Sequence, residues 1–167
     1  MTAMREATAI GNRAAEVWDA VLAGDLRALE RCTPLDRVML LRSGVPTALI
    51  PLVVEAMGIT REQLYETVGL ARSTGDRKLK KGQSLEIGQA EALLEMARLI
   101  GQVERMLEES GDPDRPDDFS AARWFAGWLY DPLPALGGRT PAELMDTAEG
   151  RSVISRLLLQ MQSGAYA

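Results

Sequence analysis

Capping residues and glycines cut this chain into short helical segments and leave no alternating run that reads as a strand. Thr60 with Gln63, and Thr140 with Glu143, have the spacing of capping boxes, while Pro34 and Pro141 each follow a threonine and suit the first helical position. Gly44, Gly58, Gly69 and Gly111 stop the helices that such signals start, and Gly164 fits the position just past the last one. Between these marks apolar residues recur at helical spacing. An all-α fold follows.

The segments read in order as follows. Thr8 to Leu29 is amphipathic, with Val17, Trp18, Val21 and Leu22 on one face that serves as core or as an interface with a second copy. A helix from Thr33 to Ser43 comes next, then an apolar one over Thr47 to Met57 that Pro51 should bend or delay. Thr60 to Gly69 forms a helix whose Leu64 and Val68 face inward, and a new element begins near Arg72. Ser84 caps the longest helix, whose stripe of Leu85, Ala92, Leu93, Met96, Leu99, Ile100, Val103 and Leu107 runs to Ser110. The acidic, proline-bearing stretch 112–118 reads as a linker. Ser120 to Tyr130 is a helix with Trp124 and Trp128 four apart, Pro141 to Met145 a short one, and Ala148 to Gln162 the last. The expected organisation is 1–44, N-terminal helices that serve in dimerisation or cover the core; 45–111, a helical domain; 112–118, the linker; and 119–167, a small C-terminal domain.

Composition narrows the function. The chain has no histidine and one cysteine, Cys32, so the usual zinc sites, Ser-His-Asp triads and Cys-His dyads are excluded and no disulfide can form within it. Phosphate-binding glycine loops and HExxH or GxSxG motifs are missing too. A binding protein without cofactor or metal is expected, not an enzyme. With no apolar run of membrane-spanning length and no signal peptide, the expected location is the cytoplasm.

Two stretches carry candidate contacts. All three lysines of the chain, Lys78, Lys80 and Lys81, join Arg72 and Arg77 in 72–81, which carries a net charge of +4 in a chain whose total is −5. A solvated charged loop accounts for such a run; its place after a helix and a glycine turn favours nucleic acid, because the second helix of a helix-turn-helix enters the major groove. At the other end, Leu159 lies off the stripe of Val153, Ile154, Leu157, Leu158 and Met161, on the side of Ser152, Ser155 and Gln162. Tyr166 stands one residue from the terminus, where an aromatic has a reason only if the end docks on something.

Taken together these pieces resemble one family. Leu49 to Lys81 looks like an Xre-type helix-turn-helix. Trp128-Leu129, Pro132, Ala135-Leu136-Gly137-Gly138-Arg139-Thr140-Pro141, Glu143-Leu144, Asp146, Gly150, Val153 and Gly164 to Ala167 match the C-terminal domain of Xre/MbcA/ParS-like antitoxins. The resemblance implies a type II antitoxin: an Xre-like bundle followed by a small helical toxin-binding domain, neutralising a RES-domain toxin that consumes NAD, dimerising, and repressing its own operon. Carried onto this sequence it implies toxin contacts at Arg151, Ser155, Leu159, Gln162, Gly164, Tyr166 and Ala167, near the toxin's NAD pocket. Arg72, Ser73, Thr74 and Arg77 are then the base or near-base contacts on operator DNA, and Lys78, Lys80 and Lys81 the phosphate contacts. A regulator without a toxin, its C-terminal domain used only to dimerise, is the alternative. One departure stands out: Gly75 occupies the place of the apolar anchor six residues after Gly69, and Tyr65 a place where a small residue is common. A DNA-reading helix that is short, irregular or ordered only on DNA is expected from that pair.

Overall fold

The computed structural model describes residues 13–111, 114 and 116–163, which are all-α apart from one isolated bridge. In chain order the helices are α1 (13–22), α2 (Arg27–Glu30), α3 (Pro34–Ser43), α4 (Leu49–Met57), α5 (Arg61–Thr67), α6 (Arg72–Lys81), α7 (Ile87–Ser110), α8 (Ala121–Tyr130) and α9 (Ala148–Gln162), with 3-10 turns at Pro134–Leu136 and Pro141–Leu144. None of the described helices is long and apolar enough to cross a membrane.

The long α7 is the pillar. Its 24 residues bury Ala90, Ala92, Leu93, Leu94, Met96, Ala97, Leu99, Ile100, Gly101, Gln102 and Val103, more than one stripe, because α2, α3, α4, α8 and α9 all pack on it. A helix covered on most sides is apolar on most sides. One contiguous cluster of buried residues therefore runs from Ala14 to Leu158, across the stretch expected as a linker. α8 buries Phe125 and Leu129 against α4 and α7, each contributing about 1.5–3 kcal/mol. Its Trp124 and Trp128 stack with ring centroids 6.4 Å apart, half-buried against the core.

Local chemistry sets the boundaries. Thr60 accepts from the Gln63 N–H at 3.1 Å while Gln63 Oε1 accepts from the Thr60 N–H at 2.8 Å, so the box that opens α5 is complete. Pro51 is the third residue of α4, where its missing N–H is one of the unpaired donors of a first turn, and the helix starts at Leu49 instead of Thr47. Four expectations shift. The N-terminal segment breaks at 23–26 between α1 and α2, and Leu22 faces outward; Thr8 to Asn12 lie outside the described residues. The segment after Pro141 is a 3-10 turn. Ser84 does not cap α7: the helix begins at Ile87, after Glu86, because the Ser84 carbonyl and the Glu86 carboxylate both accept from Lys78.

Candidate partner-binding surfaces

The basic run folds into α6, a regular ten-residue helix, which corrects the expectation of a short or irregular one. Gly75 and Tyr65 explain why. A Cβ placed on Gly75 would lie 2.6–3.0 Å from three atoms of the Tyr65 ring, so the α5 aromatic fills the space that an apolar residue on α6 would otherwise take. Anchor and gap have exchanged sides, and Tyr65 is buried. Burial first, then the hydrogen bond to Asp76, pushes the Tyr65 pKa up; the protonated phenol donates to Asp76 Oδ1 at 3.1 Å.

Helical register then sorts the charges. Ser73, Arg77, Lys80 and Lys81 share the exposed face of α6, and Arg77, Lys80 and Lys81 make no ion pair among the described residues. Thr74 is half-buried at its edge. Arg72 is exposed but lies 3.1 Å from Glu62 and 3.7 Å from Asp76, which also draws in Arg61 at 3.4 Å. Lys78 leaves the set of free cations. It is 8% exposed, and its Nζ donates to the Ser84 carbonyl at 2.9 Å and Glu86 Oε1 at 3.0 Å, tying α6 to the start of α7. The signal was in the sequence, since 75, 78 and 79 fall on the inward face.

The last helix divides in the same way. Thr147 accepts from the Gly150 N–H at 3.0 Å and opens α9, which buries Gly150, Arg151, Ile154, Leu157 and Leu158. Arg151, expected as a partner contact, is buried within the chain: its guanidinium donates to the Met145 carbonyl at 2.9 Å and lies 3.8 Å from Glu91. Ser155 turns to α7 as well, donating to Gln102 Oε1 and accepting from Arg98, both at 3.2 Å. Both hold α9 in place. Leu159 is 46% exposed, beside Ser152, Arg156, Gln160 and Ser163. Arg156 is the cation that sequence reasoning missed; it sits one helical turn before Leu159, and its one ion pair among the described residues is with Glu149 at 3.7 Å. Gln162 is exposed and donates to Glu109 at 2.6 Å. Gly164, Tyr166 and Ala167 lie outside the described residues.

Further hydrogen bonds tie α5 to α8 and close the loop after it. Thr67 donates to the Gln63 carbonyl at 2.8 Å, so at 2.9 Å the Tyr130 hydroxyl is the donor to Thr67, joining α5 to the end of α8. The 133–139 loop closes on itself: Leu133 N–H donates to the Arg139 carbonyl, and Gly138 N–H to the Leu133 carbonyl, each at 3.0 Å. Thr140 N–H donates to Glu143 Oε1 at 3.1 Å. Cys32 is buried, its thiol bonded to the Ala28 carbonyl; burial, with Asp36 adding to it, raises its pKa and keeps it protonated. Among the described residues no group of three or more His, Cys, Asp or Glu side chains is placed to hold a metal ion.

Two comparisons bear on what these surfaces serve. Residues 117–164 match the family model described as the antitoxin Xre/MbcA/ParS C-terminal toxin-binding domain. Over 141 residues the chain is 39% identical to a protein of Sphingobium sp. (strain YBL2) named "Prs ADP-ribosylating antitoxin", an overlap of 84% of this chain and 87% of that one. A regulator without a toxin does not fit a toxin-binding domain. The match to the toxin-binding domain, and an alignment that takes in most of both chains, place this protein in the Xre/MbcA/ParS antitoxin family, as an antitoxin with a cognate toxin and not as an enzyme.

Proposed function

We propose that the chain neutralises a RES-type, NAD-consuming toxin by laying the exposed face of α9 and the residues after it near the toxin's NAD pocket, and that as a homodimer it represses its own operon through an Xre-like helix-turn-helix formed by α5 and α6. The observation that carries the first part is Leu159, an apolar side chain half open to solvent on an otherwise polar face of a family-matched toxin-binding domain. Leu159, Gln162, Gly164, Tyr166 and Ala167 remain the contact set; Arg151 and Ser155 act by positioning α9. Co-expression with the protein encoded next to it tests this reading. The full chain should restore growth, and deletion of Gly164 to Ala167 should weaken the rescue. Equal protection by the truncated chain would remove the tail from the contact.

For DNA, the face of Ser73, Arg77, Lys80 and Lys81 supports the proposal, with Arg72, Ser73, Thr74 and Arg77 toward base edges and Lys80 and Lys81 toward phosphates. Lys80→Ala with Lys81→Ala should lower operator affinity and flatten the dependence of log K on log salt by about 2. Lys78→Ala should leave that slope unchanged and cost ~1 kcal/mol of stability, because its two hydrogen bonds are internal. Equal slopes for all three lysines would return Lys78 to the phosphate set.

A further inference from the structure

The two ends of α6 carry their charge differently. Arg77, Lys80 and Lys81 make no ion pair among the described residues, whereas Arg72, the first residue of the helix, is gripped from two sides. Its Nη2 lies 3.1 Å from Glu62 Oε1 on α5, and its Nε lies 3.7 Å from Asp76 Oδ2, one turn along α6. Asp76 is fixed in its turn. The buried Tyr65 phenol donates to its Oδ1 at 3.1 Å, and Arg61, the first residue of α5, reaches the same oxygen at 3.4 Å. Two arginines and two carboxylates cancel, so this end of the helix offers position where the other end offers charge.

Stability is a poor reason for such a cluster. The four charged side chains are 40–69% exposed, and ion pairs that open to water contribute little to folding. An acid on a DNA-facing helix also repels phosphates. What the arrangement does supply is order. A surface arginine samples many rotamers, and freezing one on a ligand weakens binding. Arg72 starts with two of its nitrogens held, while its side chain stays 69% exposed and within reach of a ligand. The anchor of that grip comes from the interior, because the Tyr65 ring sits in the space that Gly75 leaves at the α5–α6 crossing. Packing of the two helices therefore sets the direction of the Asp76 carboxylate.

We propose that Asp76 is a positioning residue for DNA reading: anchored by Tyr65 and Arg61, and with Glu62 as the second jaw, it aims the Arg72 guanidinium at a base edge in the major groove. Guanine, with two acceptors on that edge, is the base that a guanidinium matches. The inference rests on the reading of α5 and α6 as a helix-turn-helix, and adds to it a residue that sets sequence preference without touching DNA.

The test compares two duplexes by fluorescence anisotropy at about 100 mM salt: the promoter region of the chain's own operon, and a shuffled duplex of the same composition. Asp76→Asn keeps an acceptor for Tyr65 and removes the charge. By charge alone it would tighten both duplexes equally. With Asp76 aiming Arg72, the preference for the promoter should fall at least about fivefold while the shuffled duplex binds as well as before or better. Arg72→Ala should lose the same preference, and adding Asp76→Asn to it should cost nothing more, with circular dichroism melts showing every variant folded. A preference unchanged by Asp76→Asn, an equal change on both duplexes, or an Asp76→Asn effect that persists undiminished beside Arg72→Ala overturns the positioning role and leaves the helix-turn-helix standing. A wild type with no preference between the duplexes removes the operator reading itself, and the role of Asp76 with it.

Discussion

Gly150→Ala is expected to unseat the toxin-binding domain, with a loss of at least about 3 kcal/mol and a melting temperature lower by roughly 6–12 °C. In an open helical position this substitution would stabilise, since alanine exceeds glycine by about 1 kcal/mol in helix propensity. Here a Cβ would collide with the Leu144 carbonyl oxygen and lie 2.8 Å from two further Leu144 atoms. Backbone cannot move aside as a flexible side chain can. α9 would have to lift from the second 3-10 turn, stretching the bond from Arg151 to the Met145 carbonyl and opening the site of Met145, which is fully buried. Gly127→Ala on the exposed side of α8, where a Cβ meets nothing within 4 Å, is the control and should raise stability slightly. Thermal unfolding of both variants decides the matter: if they shift in the same direction, the tight approach at Gly150 is not what the geometry indicates.

The second large effect is expected at the α5–α6 crossing. Gly75→Leu drives a side chain into the Tyr65 ring and should cost about 2–3 kcal/mol, the range of overpacked cores. Tyr65→Ala empties a buried aromatic site and removes the hydrogen bond to Asp76, and should cost about 3–4 kcal/mol. Combined, the leucine fills the space the tyrosine leaves, as the apolar anchor usual in helix-turn-helix proteins would. The double variant should therefore be more stable than the sum of the two losses by at least about 1.5 kcal/mol. Strict additivity in urea unfolding would contradict the exchange of anchor and gap.

That pair also shows where the sequence stops being legible. Gly75 and Tyr65 were each visible as departures from the usual pattern, and read singly they pointed to a weakened helix. Their compensation needed the helix crossing, which no linear spacing reveals. The capping boxes at Thr60 and Thr140 and the all-α class were legible because caps and periodicity are local. Ser84 misled for the opposite reason: its cap chemistry was right, but Lys78, six residues before it, claims its carbonyl and tethers the segment before α7. At α9 the exposure of Leu159 followed from helical register alone. Arg151 and Ser155 share that helix yet face inward, which depended on where α7 places Gln102 and Arg98 and on the Met145 carbonyl.

The central claim is that the outward face of α9, and not its inward polar residues, carries the toxin contact. Calorimetric titration of the neighbouring gene's product into the wild type and into Leu159→Asp measures it directly. The substitution puts a charge where an apolar side chain is expected to be covered, with no internal partner disturbed. Unchanged helicity with binding at least about 30-fold weaker, some 2 kcal/mol, is the predicted result. Binding by Leu159→Asp as tight as the wild type's would contradict the account.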